Sequence, residues 1–248
     1  MGRTVLAVAA CLVGLMPGEA MGADASVGVD VNSAYVWRGL TLNDGAVVQP
    51  WIEVGLPHGF GVTVWSNVDV GEYDDAREGG EISEVDFILS YGREVGPVEL
   101  GVSYIEYLCP HQAGEDGGAQ AGTREVGADA AAALVGGLSA RAMLYYDGDE
   151  VKGTYAAMGL TYGFDATEVF NLELDACAGY AGEGWAVGNS GGTEGGLHEY
   201  TLSLRATYIL TETFEVGAHA SHTGSLNEDV LPEQDTATYG GASVCYSF

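Results

Sequence analysis

The last residues of the chain alternate between two faces and end in an aromatic side chain. Phe248, Tyr246 and Val244 share one face of an extended strand, whereas Ser247 and Cys245 share the other. The terminal residues of soluble proteins usually lie loose in water, so an apolar face that runs to the last residue is unusual. It is typical of a strand that closes a transmembrane β-barrel, with the final aromatic residue at an interfacial girdle. A soluble sandwich whose last strand runs to the end would show the same alternation, so this feature alone leaves both architectures open.

The first residues have the layout of a secretory signal peptide. Arg3 precedes an apolar run over residues 5–16, followed by proline, glycine and other small residues. The run is shorter than the roughly 20 apolar residues that a membrane-spanning helix needs. We expect residues 1–22 to be removed, with cleavage as late as residue 25 as an alternative, and residues 23–248 to form the mature domain of an exported protein.

Composition narrows the class of the mature protein. The formal net charge is −28, which argues against nucleic acid as a partner because binding phosphates requires Lys and Arg. The chain has 39 Gly, 14 Tyr and only 6 Pro, a composition that suits many strands joined by turns. No apolar run after residue 22 is long enough for a membrane helix, so the mature chain is either soluble or a barrel. Cys109, Cys177 and Cys245 show neither disulfide nor metal-ligand spacing, and we expect no cofactor.

Alternation of apolar and polar residues predicts twelve strands in one all-β domain. The strands lie near residues 25–38, 46–57, 60–70, 82–93, 97–108, 123–134, 138–147, 153–164, 169–181, 198–210, 214–223 and 237–248. Short turns alternate with long polar loops, and both termini fall on the short-turn side. An even number of strands in this arrangement is the organisation of a bacterial outer-membrane, antiparallel up-and-down β-barrel.

The positions of the aromatic residues favour a membrane barrel over a soluble one. On the apolar face, one group borders the short turns, a second borders the long loops, and small aliphatic residues fill the middle. The first group is Phe60, Tyr91, Tyr162, Phe164, Tyr208, Phe214, Tyr246 and Phe248, and the second is Tyr35, Trp37, Tyr104, Tyr146, Tyr180 and Tyr200. Two such belts suit rings at lipid headgroup depth. We therefore predict that the apolar face contacts outer-membrane lipid and that the polar face lines the lumen.

The terminal strand also has a predicted partner. Its aromatic residues Tyr246 and Phe248 resemble the C-terminal signal through which the barrel-assembly machinery recognises outer-membrane barrels. We expect this machinery, membrane lipid and small solutes or cations to be the partners of the protein.

Polar residues on the inward face are the candidates for a pore lining or constriction. They are Arg38, Glu53, Trp65, Asn67, Asp69, Glu84, Asp86, Arg141, Glu173, Asp175 and Arg205. We expect Arg38 to pair with Asp69 or Glu53, which would either shape a constriction or only brace the wall. Carboxylates outnumber arginines, so an open lumen is expected to prefer cations. About twelve strands lie between small filled barrels and wide porins, so the sequence leaves open whether the lumen is open.

Two other kinds of site are less well supported. One acidic loop lacks the ligand spacing of an EF-hand, so a solvated loop fits better than a cation site. Its carboxylates are Glu72, Asp74, Asp75, Glu78 and Glu81. For a hydrolase, His219 shares the inward face with Ser203 and Ser221, with Glu199 or Glu215 available to orient its imidazole. No nucleophile motif marks these serines, and we predict that the protein is not an enzyme.

Several segments resemble the TorF-like family of outer-membrane porins. They are residues 33–40 (Ser-Ala-Tyr-Val-Trp-Arg-Gly-Leu), 48–50, 59–69, 84–86, 91–92, 107–110, 123–125 and 153–155. The likeness covers most of the mature chain and is strongest in its first half. Cys109 and an acidic, Gly-rich insertion around residues 111–122 depart from the family pattern. The resemblance implies an outer-membrane barrel with a transport role and supplies no substrate.

The predicted function is that of a porin-like channel for passive diffusion of small hydrophilic solutes, with a preference for cations. The alternative is a closed structural or surface-interaction barrel without transport, and a barrel hydrolase comes third.

Overall fold

The computed structural model describes residues 24–73, 79–110 and 122–248. The predicted signal peptide, residues 1–22, lies outside the described residues, as do Asp74, Asp75 and Glu78 of the acidic loop. No helix of the described residues is long and apolar enough to cross a bilayer.

Within these ranges the chain forms fourteen strands, twelve of which close into an antiparallel barrel. The strands are β1 (Asp24–Asn32), β2 (Tyr35–Trp37), β3 (Leu40–Asn43), β4 (Val47–Leu56), β5 (Phe60–Asp69), β6 (Ile82–Val95), β7 (Val98–Leu108), β8 (Thr123–Ala133), β9 (Leu138–Asp147), β10 (Thr154–Thr167), β11 (Phe170–Ala181), β12 (Gly196–Thr211), β13 (Phe214–Ser225) and β14 (Thr238–Ser247). The wall runs β1, β14, β13 and so on down to β4, and β1 closes it by pairing with both β14 and β4. Short helical turns lie at Pro57–Gly59, Glu183–Trp185 and Ala186–Ser190.

Each of the twelve predicted wall strands is present, but the predicted first strand is too long. The strand ends at Asn32, and the chain then folds inward as a separate two-stranded hairpin of β2 and β3. Arg38 and Gly39 cause this reversal, since both have positive φ angles, 49° and 80°, as the two central residues of a tight hairpin turn require.

This inward hairpin corrects the placement of two aromatic residues. Tyr35 and Trp37 were expected in the lipid-facing belt beside the long loops. Instead Tyr35 is only 7% exposed, and Trp37 packs against the buried cluster inside the barrel. Alternation predicts which residues share a face of a strand, but it cannot reveal that a strand has left the wall.

The wall itself has the predicted faces. Leu174 is 55% exposed on the outside and lies opposite Leu204 and Tyr162 of the neighbouring strands. At the short-turn end, the rings of Tyr246 and Phe248 lie 4.9 Å apart, and the Phe248 backbone N–H donates to the Ala25 carbonyl at 2.8 Å. The last residue is therefore held in the wall.

The tightly packed core lies inside the barrel, at the long-loop end, which we call the mouth. It includes Leu40 of the hairpin, Tyr155 of β10, Trp185 of the turn after β11, and Leu231 of the loop before β14, each at most 5% exposed. The wall thus encloses two regions, a polar lumen towards the short turns and a packed mouth.

Candidate functional site

The lumen towards the short turns is lined by half-buried polar side chains. Glu53 on β4, Glu173 on β11, Arg205 on β12 and His219 on β13 are all of this kind. Because they point inward and are still partly accessible, they border an interior space instead of being packed on all sides. This lining has the alternation expected of a barrel that encloses water.

Arg141 and Asp175 form an ion pair across the strand that separates them. Nη2 of Arg141 on β9 donates to Oδ1 of Asp175 on β11 at 2.7 Å, and Nη1 donates to Oγ1 of Thr161 on β10 at 2.7 Å. The two charged side chains are only 11% and 13% exposed. This pair links three strands and cancels one positive and one negative charge of the lining.

Arg205 is placed differently. Among the described residues it forms no ion pair within 4.0 Å, although it lies in register between Glu173 and His219. Asp30, Glu173 and Glu215 are close enough to interact with its charge through space. Arg205 therefore presents a positive charge to the lumen within an acidic surround.

Asn67 and Asp69 belong to a buried network and not to an open ring of charge. Both are fully buried. The Asn67 amide donates to Asp69 at 3.0 Å and to Ser83 at 2.8 Å, and it accepts from Gln49 at 2.9 Å. Asn43, at the end of β3, donates to the same Asp69 oxygen at 2.6 Å. This network holds the root of the hairpin against the wall.

The hairpin extends across the mouth of the barrel. It leaves the wall between β1 and β4, and its tip contacts β8, β9 and β10, which lie on the opposite side of the strand order. We call residues 35–43 the crossbar.

Three predicted lumen residues lie beside the root of the crossbar. Glu84 accepts a hydrogen bond from the Tyr35 hydroxyl at 2.9 Å, and the Trp65 ring lies 5.5 Å from the Tyr35 ring. Burial and the neighbouring carboxylates hold the pKa of Tyr35 well above its usual range, so this hydroxyl is a stable donor. Asp86 is 8% exposed, and its Oδ1 accepts no hydrogen bond from the described residues.

The predicted partner of Arg38 was wrong. Nη1 and Nη2 of Arg38 donate to the two carboxylate oxygens of Glu125 on β8, at 2.8 and 2.7 Å, and neither Asp69 nor Glu53 takes this role. Both side chains are almost fully buried, and Tyr107 adds a hydrogen bond to Glu125 at 2.9 Å. The pairing differs because the tip of the crossbar is carried away from β4 and β5 to the far wall.

Aromatic rings enclose the Arg38 guanidinium. Its central carbon lies 4.3 Å from the ring centre of Trp37, 4.4 Å from those of Tyr145 and Tyr155, and 5.7 Å from that of Trp185. Cation–π contacts of this kind strengthen when they are removed from water. The arrangement lets a full positive charge be buried in the middle of the mouth.

The loops at the mouth also contact the crossbar. Gln234 accepts a hydrogen bond from the Thr41 backbone at 2.9 Å, and the Thr41 hydroxyl accepts one from the Thr236 backbone at 3.1 Å. The Trp185 ring lies 5.6 Å from that of Trp37. The crossbar is thus held between the far wall and the loops.

The residues considered for a hydrolase do not form a catalytic arrangement. Ser203 and Ser221 hydrogen-bond to each other at 2.8 Å. Glu199 binds Tyr155 and, at 2.6 Å, His198, so it does not orient His219. Within the described chain, no side-chain hydrogen bond joins His219 to either serine or to Glu215.

The side chains that receive the crossbar are not among the site residues predicted from the sequence. Glu125, Tyr107, Tyr145 and Tyr155 all occupy inward positions, which alternation could have identified, and Trp185 lies in a loop with no periodic pattern. Their partnership with Arg38 depends on the path of the hairpin, which strand alternation does not contain.

Comparison with known proteins gives a family and a fold. The model of a family described as a bacterial protein of unknown function (Gcw_chp) matches residues 18–212. No curated protein sequence matches the chain.

Solved structures of similar shape include the KdgM porin, at 12% identity and a TM-score of 0.58, with 90% of this chain and 99% of that chain covered. An outer membrane channel from Pseudomonas putida F1 aligns at 10% identity and a TM-score of 0.51, covering 93% and 97%. The NanC porin aligns at 8% identity and a TM-score of 0.51, covering 91% and 98%. At these identities the likeness is one of fold.

Proposed function

The chain belongs to the Gcw_chp family of bacterial proteins of unknown function, and from its barrel we propose that it is a porin-like channel of the outer membrane. It carries small hydrophilic solutes by passive diffusion and prefers cations. Residues 1–22 direct export, and Tyr246 and Phe248 present the terminal strand to the barrel-assembly machinery.

The observation that carries this proposal is the contrast between the two faces of the wall. Leu174, Leu202 and Leu204 are about half exposed on the outside, where only lipid would cover them. Glu53 and Glu173 line the inside, where they contact solvent. An apolar exterior around a polar, solvent-accessible interior is the arrangement of a membrane channel.

Charge supports the cation preference. Asp175 neutralises Arg141, so Arg205 is the inward arginine without an ion pair in the described lining. The two carboxylates of Glu53 and Glu173 outnumber this single positive charge. Carboxylates in a channel with low-dielectric walls raise the local concentration of cations.

Similar proteins support the same class. Two of the solved structures of the same fold are described as porins, and a third is described as an outer membrane channel. The resemblance of residues 33–40 and 59–69 to TorF-like porins agrees with this class, and kinship with that family is part of the proposal.

A second candidate is a closed barrel with a structural or surface-interaction role. The packed mouth favours it, because Arg38, Tyr155 and Trp185 are at most 6% exposed where an open pore would be wet.

Recording in planar lipid bilayers separates the two candidates. We expect discrete conductance steps, and a reversal potential of cation-selective sign under a KCl gradient. Folded protein that inserts and gives no steps would favour the closed barrel, and an anion-selective potential would contradict the assigned role of the acidic lining.

A further inference from the structure

The crossbar is distinct from the wall that surrounds it. It forms its own two-stranded sheet, and within the described chain no backbone–backbone hydrogen bond joins residues 35–43 to a wall strand. Among the described contacts, side chains and the loop around Gln234 attach it to the barrel. An element attached in this way can leave its site while the hydrogen-bonded barrel stays intact.

The tip of the crossbar has an unfavourable backbone conformation. Arg38 has a φ of 49°, in the left-handed region that residues with a Cβ atom seldom adopt. Such a conformation persists when surrounding contacts hold it in place. The two-residue turn between β2 and β3 imposes this φ, and among the described residues Glu125 and the aromatic rings hold the Arg38 side chain in the docked position.

The tip also leaves little free space at the far wall. A Cβ atom added to Gly39 would lie 2.7 Å from Cβ of Glu199 on β12 and 3.1 Å from Cδ2 of Leu231. The tip therefore packs tightly between β12 and the loop before β14, and a passage at this point of the mouth requires the crossbar to move.

We propose that the crossbar is the gate of the channel and that the Arg38–Glu125 ion pair is its latch. With the pair formed, the hairpin spans the mouth and the channel is closed. With the pair broken, the hairpin leaves the far wall, and the polar lumen opens to the outside through the mouth. This inference rests on the proposed channel function and adds its regulation.

Removal of Arg38 tests the latch. In planar bilayers, Arg38→Ala is expected to lower the closed-to-open ratio by about 100-fold, since loss of one partner of a buried ion pair shifts an equilibrium by that order. Glu125→Gln is expected to act in the same direction. Arg38→Lys keeps the charge but loses the two-pronged contact, and we expect an intermediate open fraction.

Matched controls come from the neighbouring strand positions. Arg124 pairs with Glu106 at 3.0 Å on the barrel exterior, and its side chain is 52% exposed. Arg124→Ala and Glu106→Gln remove the same chemical groups without touching the latch, and they are expected to leave the open fraction unchanged. Folding of every variant is checked by the shift in gel mobility on boiling.

Added guanidinium ion gives a readout that a merely structural role would not produce. Millimolar guanidinium chloride is expected to fill the vacated site in Arg38→Ala, restore the buried pair with Glu125 and reduce the open fraction. Tetramethylammonium, which has no N–H donors, should not do so, and neither cation should act on Arg38→Ala/Glu125→Gln.

The possible results separate this inference from the channel function. If the folded Arg38→Ala and wild-type proteins conduct with equal open fractions, the gate is overturned while the channel stands. If no folded variant conducts, including one in which residues 35–43 are replaced by a short glycine linker, both are overturned. A guanidinium effect of equal size on the control variants would also overturn the latch.

Discussion

Leu174 and Asp175 are adjacent in β11 and lie on opposite sides of the barrel wall. Leu174 is 55% exposed on the outside, while Asp175 turns inward to the Arg141 guanidinium. A difference of one residue therefore separates a position in hydrocarbon from a position in the lumen.

An arginine placed on the outer face should reveal this difference. We expect Leu174→Arg to destabilise the barrel by about 2–4 kcal/mol, the cost of an arginine at the bilayer midplane. Glu173→Arg introduces the same side chain one residue away, facing lumen solvent, and should cost less than about 1 kcal/mol. Urea unfolding in lipid vesicles measures both, and equal losses would show that the faces are assigned wrongly.

The Arg141–Asp175 pair should contribute to the strength of the wall. Arg141→Ala leaves the mostly buried Asp175 carboxylate with the Thr161 hydroxyl as its remaining donor, and we expect a loss of about 2 kcal/mol in unfolding free energy. Asp175→Ala should cost a similar amount, and the double variant should lose less than the sum of the two. A double-mutant cycle measures this coupling, and strict additivity would mean that the two side chains do not interact.

Arg205 should set the degree of cation preference. A unit charge at about 8 Å in water changes the energy of a monovalent cation by about 0.5 kcal/mol and that of an anion by as much in the opposite sense, so Arg205→Ala should raise the cation-to-anion permeability ratio roughly six-fold. Glu173→Gln should lower it by a similar factor, and Arg124→Ala on the exterior should leave it unchanged.

The effects of Arg205 and Glu173 on cation preference should depend on the salt concentration. The Debye length, over which charges in solution interact before salt screens them, is about 30 Å at 0.01 M salt but only about 3 Å at 1 M. Reversal potentials measured at both concentrations provide the check. A preference that persists undiminished at 1 M salt would show that charges in the lumen do not control permeation.

Assembly should depend on the terminal aromatic residue. Phe248→Asp removes the ring that packs on Tyr246 and places a charge at the short-turn girdle, so the amount of heat-modifiable protein in the outer membrane should fall several-fold. Ser247→Asp is the control, since Ser247 hydrogen-bonds to Ser26 on the opposite face. Normal membrane levels of Phe248→Asp would remove the support for a terminal assembly signal.

The wall could be predicted from the sequence, while the mouth could not. Side chains of a strand alternate between its two faces, and the wall separates lipid from the lumen. This alternation alone predicts that Leu174 and Asp175 lie on opposite sides. Tyr35 and Trp37 continue the alternation of the strand before them, and this pattern does not reveal the turn at Arg38 and Gly39. The two aromatic residues were therefore expected to face lipid, although they lie inside the barrel.

The Arg38–Glu125 pair was missed for a related reason. The two residues are 87 positions apart, and they meet because the crossbar spans the lumen. Their contact depends on where a short hairpin points, and strand periodicity carries no information about that direction.

The separation between these two residues also fixes an order of events during folding. The crossbar joins the first two wall strands, but its receptor is built from β8, β9 and β10, so docking cannot precede the pairing of those strands. Closing so long a segment of chain costs entropy that only the finished site can offset. Docking of the crossbar is therefore coupled to the completion of the far wall, and the mouth closes only when strands distant in the sequence have paired.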